Sequence, residues 1–208
     1  MIVTGIIQQK RDSGKQNVFI DGEFAFSLVT QDIRYFKLKE GECISEETCA
    51  YIKENLVYIK AQDTALHYMG YKMRTEKEVR GKLAEKGFSE EVAERVMEFL
   101  RKYSYCDDRK YAEVFVRERL RLHPKGAYAL QMELKQKGIS EDMIQEVLQD
   151  ANMDEVQDAA KWIEKRTKGQ YDLEEKEKRR LYGFLQRKGY RWSTIEDAFR
   201  LCREKRGE

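Results

Sequence analysis

The side chains in this chain whose types and spacing suggest chemistry are cations with aromatic neighbours. Between Arg109 and Lys137 stand eight Lys/Arg, including Arg117, Arg119, Arg121, Lys125 and Lys135, against three Glu; that is a local net of +5 in a chain of 208 residues whose total is only +2. Between Lys165 and Arg191 ten bases, among them Arg179, Arg180 and Arg187, stand against four acids, a net of +6. Clustered cations of this kind attract phosphate backbones or acidic protein surfaces. The rings beside them (Tyr111, Phe115, Tyr128, Tyr182, Phe184) have the chemistry to stack on bases, but at helical spacing most are expected in a core. A single Lys or Arg is more simply a solvated helix residue with an i, i+4 partner. The binding reading therefore rests on the clusters.

Bond-making chemistry finds no comparable support. The chain contains no G-x-x-x-x-G-K-[ST], G-x-G-x-x-G, G-x-S-x-G or H-E-x-x-H. Its two histidines, His67 and His123, stand beside no base-and-orienter arrangement. Cys43, Cys49, Cys106 and Cys202 form no CxxC pair, so reduced, mostly packed thiols are expected, with no metal site and no cofactor. Asp107-Asp108 stands just before a helical pattern and is expected to cap it. Glu90-Glu91 and Glu141-Asp142 read as acids of first helical turns. No apolar run approaches the length of a membrane span, and no basic-then-apolar leader opens the sequence. The expectation is a cytoplasmic protein without a catalytic site.

The elements that position these charges repeat. Gly87, Gly138 and Gly189 are spaced 51 apart, each preceded by Lys (Lys86, Lys137, Lys188). Val79/Leu83, Leu130/Leu134 and Leu181/Leu185 hold the same places before them, an i, i+4 pair that marks one helical face. The Lys suits a helix C-terminus, the Gly the left-handed residue after it, and Phe88, Ile139 or Tyr190 the fold-back contact of a Schellman motif. Ser89 and Ser140 are expected to cap the next helix; in the third copy the cap is expected to slip to Ser193, with Glu196 completing a capping box. A preceding helix recurs at spacing 47 through Ala65/Tyr68/Met69, Ala112/Phe115/Val116 and Ala159/Trp162/Ile163, with Lys72, Arg119 and Arg166 in register. The two periods imply a first-to-second-helix link that grows by four residues per repeat. The fold class is mainly α: an elongated solenoid of three tandem three-helix repeats at 61–106, 107–153 and 154–208. Stacked, the repeats should show a basic side and a more acidic side, since 140–150 holds four acids and no base and 89–99 four acids and one base.

Residues 1–60 are expected to form a small domain of strands and a helix, with a soft boundary to the first repeat. IVTGIIQQK, QNVFI and EFAFSL read as strands, with Asp21-Gly22 as a type I′ hairpin and Phe19, Phe24 and Phe26 on one face. Ser45 should cap a helix through EETCAYIKENL.

MRTEKEVRGKLAEKGF (73–88), YCDDRKYAEVFVRERLRLHPKG (105–126) and ALQMELKQKGI (129–139) resemble the RecX family of bacterial recombinase modulators. VFIDGEFAFSLVTQDI is similar to its strand-containing extension, so the likeness runs over almost the whole chain. Ala127-Tyr128 departs from a common version of the motif, which has Gly-Pro there. The resemblance implies a regulator without catalysis that lies in the groove of the RecA recombinase filament on single-stranded DNA and restrains its ATP hydrolysis and strand exchange; a monomer is expected of a repeat array with charged ends. Arg74, Glu76, Arg80, Lys82, Asp107, Asp108, Arg117 and Arg119 match family positions. Of these, Glu76, Asp107 and Asp108 are expected as caps or internal partners, and the cations as contacts to filament or DNA. The other class of reading is an autonomous nucleic-acid-binding protein using its basic helical face.

Overall fold

The computed structural model describes residues 1–9 and 14–205; Lys10 of the expected first strand lies outside them. The chain forms two compact units, Met1–Cys106 and Asp107–Glu208.

In the first unit β1 (Val3–Gln8), β2 (Lys15–Ile20) and β3 (Glu23–Val29) form an antiparallel sheet in that order. Asp21 and Gly22 both take positive φ (51° and 89°), the pair of left-handed residues that a type I′ turn demands. The three phenylalanines do not share a face. A bulge sets Val18 opposite Phe26 and Phe19 opposite Phe24, leaving Ala25 extra and breaking the alternation. Phe26 turns inward with Val18, whereas Phe24 is 40% exposed and meets Phe19 edge-on at 6.0 Å.

After α1 (Thr30–Tyr35), Ser45 caps α2 (Glu46–Ile52) by accepting the Thr48 N–H at 3.0 Å. The backbone then passes through a π-helical stretch, Lys53–Tyr58, directly into α3 (Ile59–Gly70). One continuous helical path thus carries the chain from the sheet region into the first repeat, and Ile52, Val57, Ala61 and Ala65 share a core with Phe26, Val79 and Leu83.

The repeats follow as α3, α4 (Glu76–Glu85) and α5 (Glu90–Lys102); α6 (Asp108–Leu122), α7 (Ala127–Gln136) and α8 (Glu141–Asp150); α9 (Glu155–Thr167), α10 (Glu175–Arg187) and α11 (Trp192–Glu204). The link between first and second helix does not grow steadily: it spans 71–75, 123–126 and 168–174. The first four-residue increment extends the helix instead: α3 ends five residues past Ala65 and α6 ten past Ala112, while the link shortens by one. Four residues are close to one turn of 3.6, so the added turn keeps the same face toward the core. In the third repeat the increment is shared: the link lengthens to 168–174, α10 gains three residues at its start, and α9 ends two residues sooner past Ala159 than α6 does past Ala112. In that link Lys168 and Gly169 turn left-handed (φ 51° and 81°) and Tyr171 tucks into the core.

The second helices end as their sequence dictates. Gly87, Gly138 and Gly189 have φ of 82°, 91° and 91°. Phe88, Ile139 and Tyr190 donate their N–H groups back to Leu83, Leu134 and Leu185 at 3.1, 3.2 and 3.2 Å, completing Schellman motifs. Ser89 and Ser140 cap α5 and α8. The third copy differs from expectation: Arg191 is the N-cap of α11, and Ser193 lies inside its first turn. Glu196 forms no capping box there, because its carboxylate accepts the Tyr182 hydroxyl, and Trp192 packs on the Tyr182 ring at 4.5 Å.

Two of these glycine turns are also docking points. Ser27 Oγ of β3 donates to the Gly87 carbonyl at 3.5 Å. In the second unit the Gly126 N–H donates to the Lys188 carbonyl at 3.0 Å. Gly126 is the N-cap of α7 and has no side chain to offer; Glu155 of α9 accepts the Ala127 N–H in its place. A Cβ at Gly126 would strike the Gly189 carbonyl, and one at Gly189 would strike Ala129, while Gly22 has open space around it. Three alanine substitutions separate strain from crowding. Gly22→Ala should cost about 1 kcal/mol from left-handed backbone alone, Gly126→Ala about 2 kcal/mol from overpacking alone, and Gly189→Ala about the sum of the two. Urea unfolding of the three variants checks that order.

Candidate functional site

The registers of 47 and 51 bring the same two positions together in every repeat. On the first helix stand Tyr68, Phe115 and Trp162; on the second, Lys82, Glu133 and Phe184. In the first repeat the Arg74 guanidinium lies 3.9 Å from the Tyr68 ring centre, with Lys82 Nζ at 5.8 Å. In the second, Arg119 covers Phe115 at 4.7 Å and donates to Glu133 at 3.1 Å, and Lys125 joins the same carboxylate. In the third, Trp162 meets Phe184 edge-on at 5.5 Å; Arg166 covers Phe184 at 3.7 Å, and Lys188 sits 4.6 Å from Trp162. The Trp162 indole N–H donates to the Pro124 carbonyl at 2.9 Å. A cation on an aromatic face thus recurs at each first-to-second-helix seam. Sequence reading missed Arg166, Lys188 and Trp162 as members of this seam, although the two registers, laid side by side, carry the signal.

Electrostatics within the second unit are tightly coupled. Burial pushes the Glu133 carboxyl up, but its hydrogen bonds from Lys125 and Arg119 outweigh that and hold it below the ordinary carboxylate value. Burial, followed by the nearby charges of Lys125 and Arg166, pulls the Lys188 ammonium below the usual lysine value, with Glu133 opposing.

The candidate cations divide into two groups. Arg80 pairs with Glu90 (2.8 Å) and Glu94, Lys82 with Glu85 (2.9 Å), Arg119 and Lys125 with Glu133, and Lys135 with Glu141 (3.0 Å); Arg74 lies on Tyr68. These are occupied within the fold. Arg117 and Arg121 on α6, and Arg179, Arg180 and Arg187 on α10, are exposed and form no ion pair among the described residues. The expected caps hold: Asp107 accepts the Lys110 N–H at 2.9 Å, and Glu76 pairs with Arg101 at 2.7 Å.

The expected basic side and acidic side are not cleanly separated. Acids of the third helices reach back to cations of the first and second: Glu90 and Glu94 to Arg80, Glu146 and Asp150 to Arg109, Glu141 to Lys135. Charges that segregate along the sequence interleave once opposite partners on packed helices meet. Arg95 of α5 runs the other way, gripping Glu54 with two hydrogen bonds of 2.7 and 2.9 Å while lying 4.5 Å from the Tyr58 ring.

Among the described residues no cluster of three or more His, Cys, Asp or Glu is arranged to hold a metal ion, and no helix is long and apolar enough to cross a membrane. The arrangement can hold and present positive charge. Because the Glu133 carboxyl titrates lower folded than unfolded, its stabilisation is complete above the unfolded value near 4.5 and fades as pH falls through the folded one. Glu133→Gln should therefore cost about 1 kcal/mol at neutral pH, and the gap between variant and parent should close in acid. Unfolding measured across pH checks this.

Comparison with known proteins gives the geometry its context. Four family models match in chain order: the Regulatory protein RecX N-terminal domain over residues 1–45 and the first, second and third three-helix domains of RecX over 61–100, 107–148 and 154–199. The Regulatory protein RecX of Clostridium acetobutylicum is 35% identical over 95% of this chain and 94% of its own length. That of Bacillus velezensis is also 35% identical, over 94% of this chain and 75% of its own length. A crystal structure of a regulatory protein RecX superposes with a TM-score of 0.62 at 29% identity, covering 94% of this chain and 98% of that one. With a sheet followed by three helical repeats, each matched in order by its own model, the chain belongs to the RecX family.

Proposed function

We propose that this chain is a non-catalytic regulator of a RecA-type recombinase. It binds the recombinase filament on single-stranded DNA and restrains ATP hydrolysis and strand exchange during recombinational DNA repair in the cytoplasm. Relatives over nearly the full length are named regulatory proteins, which supports regulation. The observation that carries the contact is the division of the cations: Arg117, Arg121, Arg179, Arg180 and Arg187 are free for a partner, while the others are engaged inside the fold. Guanidinium groups bind carboxylate and phosphate through paired hydrogen bonds, which suits a surface made of protein acids and DNA.

The mechanism follows from linkage. A ligand that touches neighbouring filament subunits binds best to one relative arrangement of them, and so opposes the motion that ATP turnover requires. Autonomous binding of bare nucleic acid is less well supported, because the seam rings Tyr68, Phe115 and Phe184 already carry a cation from the chain itself.

The test is ATPase activity and strand exchange by the cognate recombinase on single-stranded DNA, with substoichiometric amounts of this protein. Inhibition is expected. Combined Ala substitution of Arg117, Arg121, Arg179, Arg180 and Arg187 should raise the half-inhibitory concentration at least about tenfold, about 1.4 kcal/mol, with the melting temperature unchanged. No effect of the parent protein on either activity would contradict the reading. Tight binding to bare DNA, falling steeply with salt, would move it to autonomous nucleic-acid binding.

A further inference from the structure

The second unit contains a cleft of about 600 Å³ between α6, α8 and α9 that none of the contacts above fills. Its floor is aliphatic: Val116 and Leu120 from α6, Val147 and Ala151 from the end of α8. Arg117 and Arg121 stand along one rim, one helical turn apart. Acids line it too, but each is already neutralised. Arg109 takes Glu113 and Asp150, both at 3.2 Å, and Lys161 takes Asp158 at 2.8 Å. What remains is an apolar trough beside two guanidinium groups that form no ion pair among the described residues.

We propose that this cleft binds an acidic, aliphatic peptide segment of a partner protein, with aliphatic side chains on Val116, Leu120 and Val147 and carboxylates on Arg117 and Arg121. The inference rests on the reading that the chain acts by binding a protein. It deepens that reading by assigning the α6 arginines to a peptide rather than to phosphate. Charge complementarity argues for the carboxylates, since two arginines four residues apart stand about 6 Å apart along the helix axis, the spacing of acids on successive turns of a helix or on one face of a strand. The floor argues against nucleic acid. A sugar-phosphate backbone leaves an aliphatic trough unfilled, and bases stack on aromatic rings, of which this cleft has none. A volume of this size matches pockets that enclose a few apolar side chains.

The probe is a blocked peptide of three Glu-Leu-Leu-Glu repeats, with a control in which Lys replaces every Glu, titrated into the full chain without recombinase. Methyl resonances of Val116, Leu120 and Val147 should shift with the acidic peptide and not with the control. The double variant R117E/R121E should weaken the acidic peptide at least about tenfold, keep its melting temperature, and gain affinity for the Lys peptide. Absence of methyl shifts, shifts confined to other residues, or equal binding of both peptides to the parent would overturn the proposal, as would oligothymidylate shifting the same methyls more strongly. Absence of peptide binding by the parent protein, with its recombinase inhibition intact, overturns the cleft alone. Peptide binding without inhibition supports the cleft and contradicts the functional reading.

Discussion

The structure depends on a glycine turn held left-handed at the end of each second helix. At Gly87, Gly138 and Gly189 the chain must take a φ that a side chain resists, and the next residue then folds back on a buried leucine. That single hydrogen bond sets where the third helix starts and which face it turns toward the first two. The turn also serves as a seat. The sheet reaches Gly87 through Ser27, and the link of the second repeat rests on Gly189 so closely that neither glycine there tolerates a Cβ. The Lys-Gly-apolar signature is therefore joinery, and the identity of the family is written largely in its scaffold.

The cations then fall into two physical roles. Those facing an acid or a ring across a helix seam, such as Arg80, Arg101, Arg109 and Arg119, orient helices and are individually worth little in free energy at these exposures. Pairing leaves them poorly placed for a second partner. Arg117, Arg121, Arg179, Arg180 and Arg187 lack that competition. Exposed guanidinium groups on rigid helices present charge with little further ordering required, which favours recognition over stabilisation.

Local rules read well from the sequence because their partners are local. The Schellman turns, the Ser45, Ser89 and Ser140 caps, the Asp107 cap and the Asp21-Gly22 hairpin all close within a few residues. The features that escaped are set by groups far away in the chain. Arg95 finds Glu54 and Arg109 finds Asp150 across 41 residues, and Trp162 finds Pro124 across 38; these contacts decide which cations remain free. The bulge that turns Phe26 away from Phe24 needs the strand pairing to be known. Ser193 lost its capping role to the packing of Trp192 on Tyr182, and the extra turn of α6 replaced a longer link because one helical turn preserves the buried face. The sequence names candidate cations by type, and which of them are free depends on tertiary partners.

Arginine-selective labelling with phenylglyoxal reads out the division of the arginines site by site. The full chain is labelled alone and when bound to the cognate recombinase on single-stranded DNA, and each site is read by mass spectrometry. Protection on binding should concentrate at Arg117, Arg121, Arg179, Arg180 and Arg187, with Arg80, Arg101 and Arg109 unchanged. Protection of the paired arginines with the free ones left fully reactive would contradict the account.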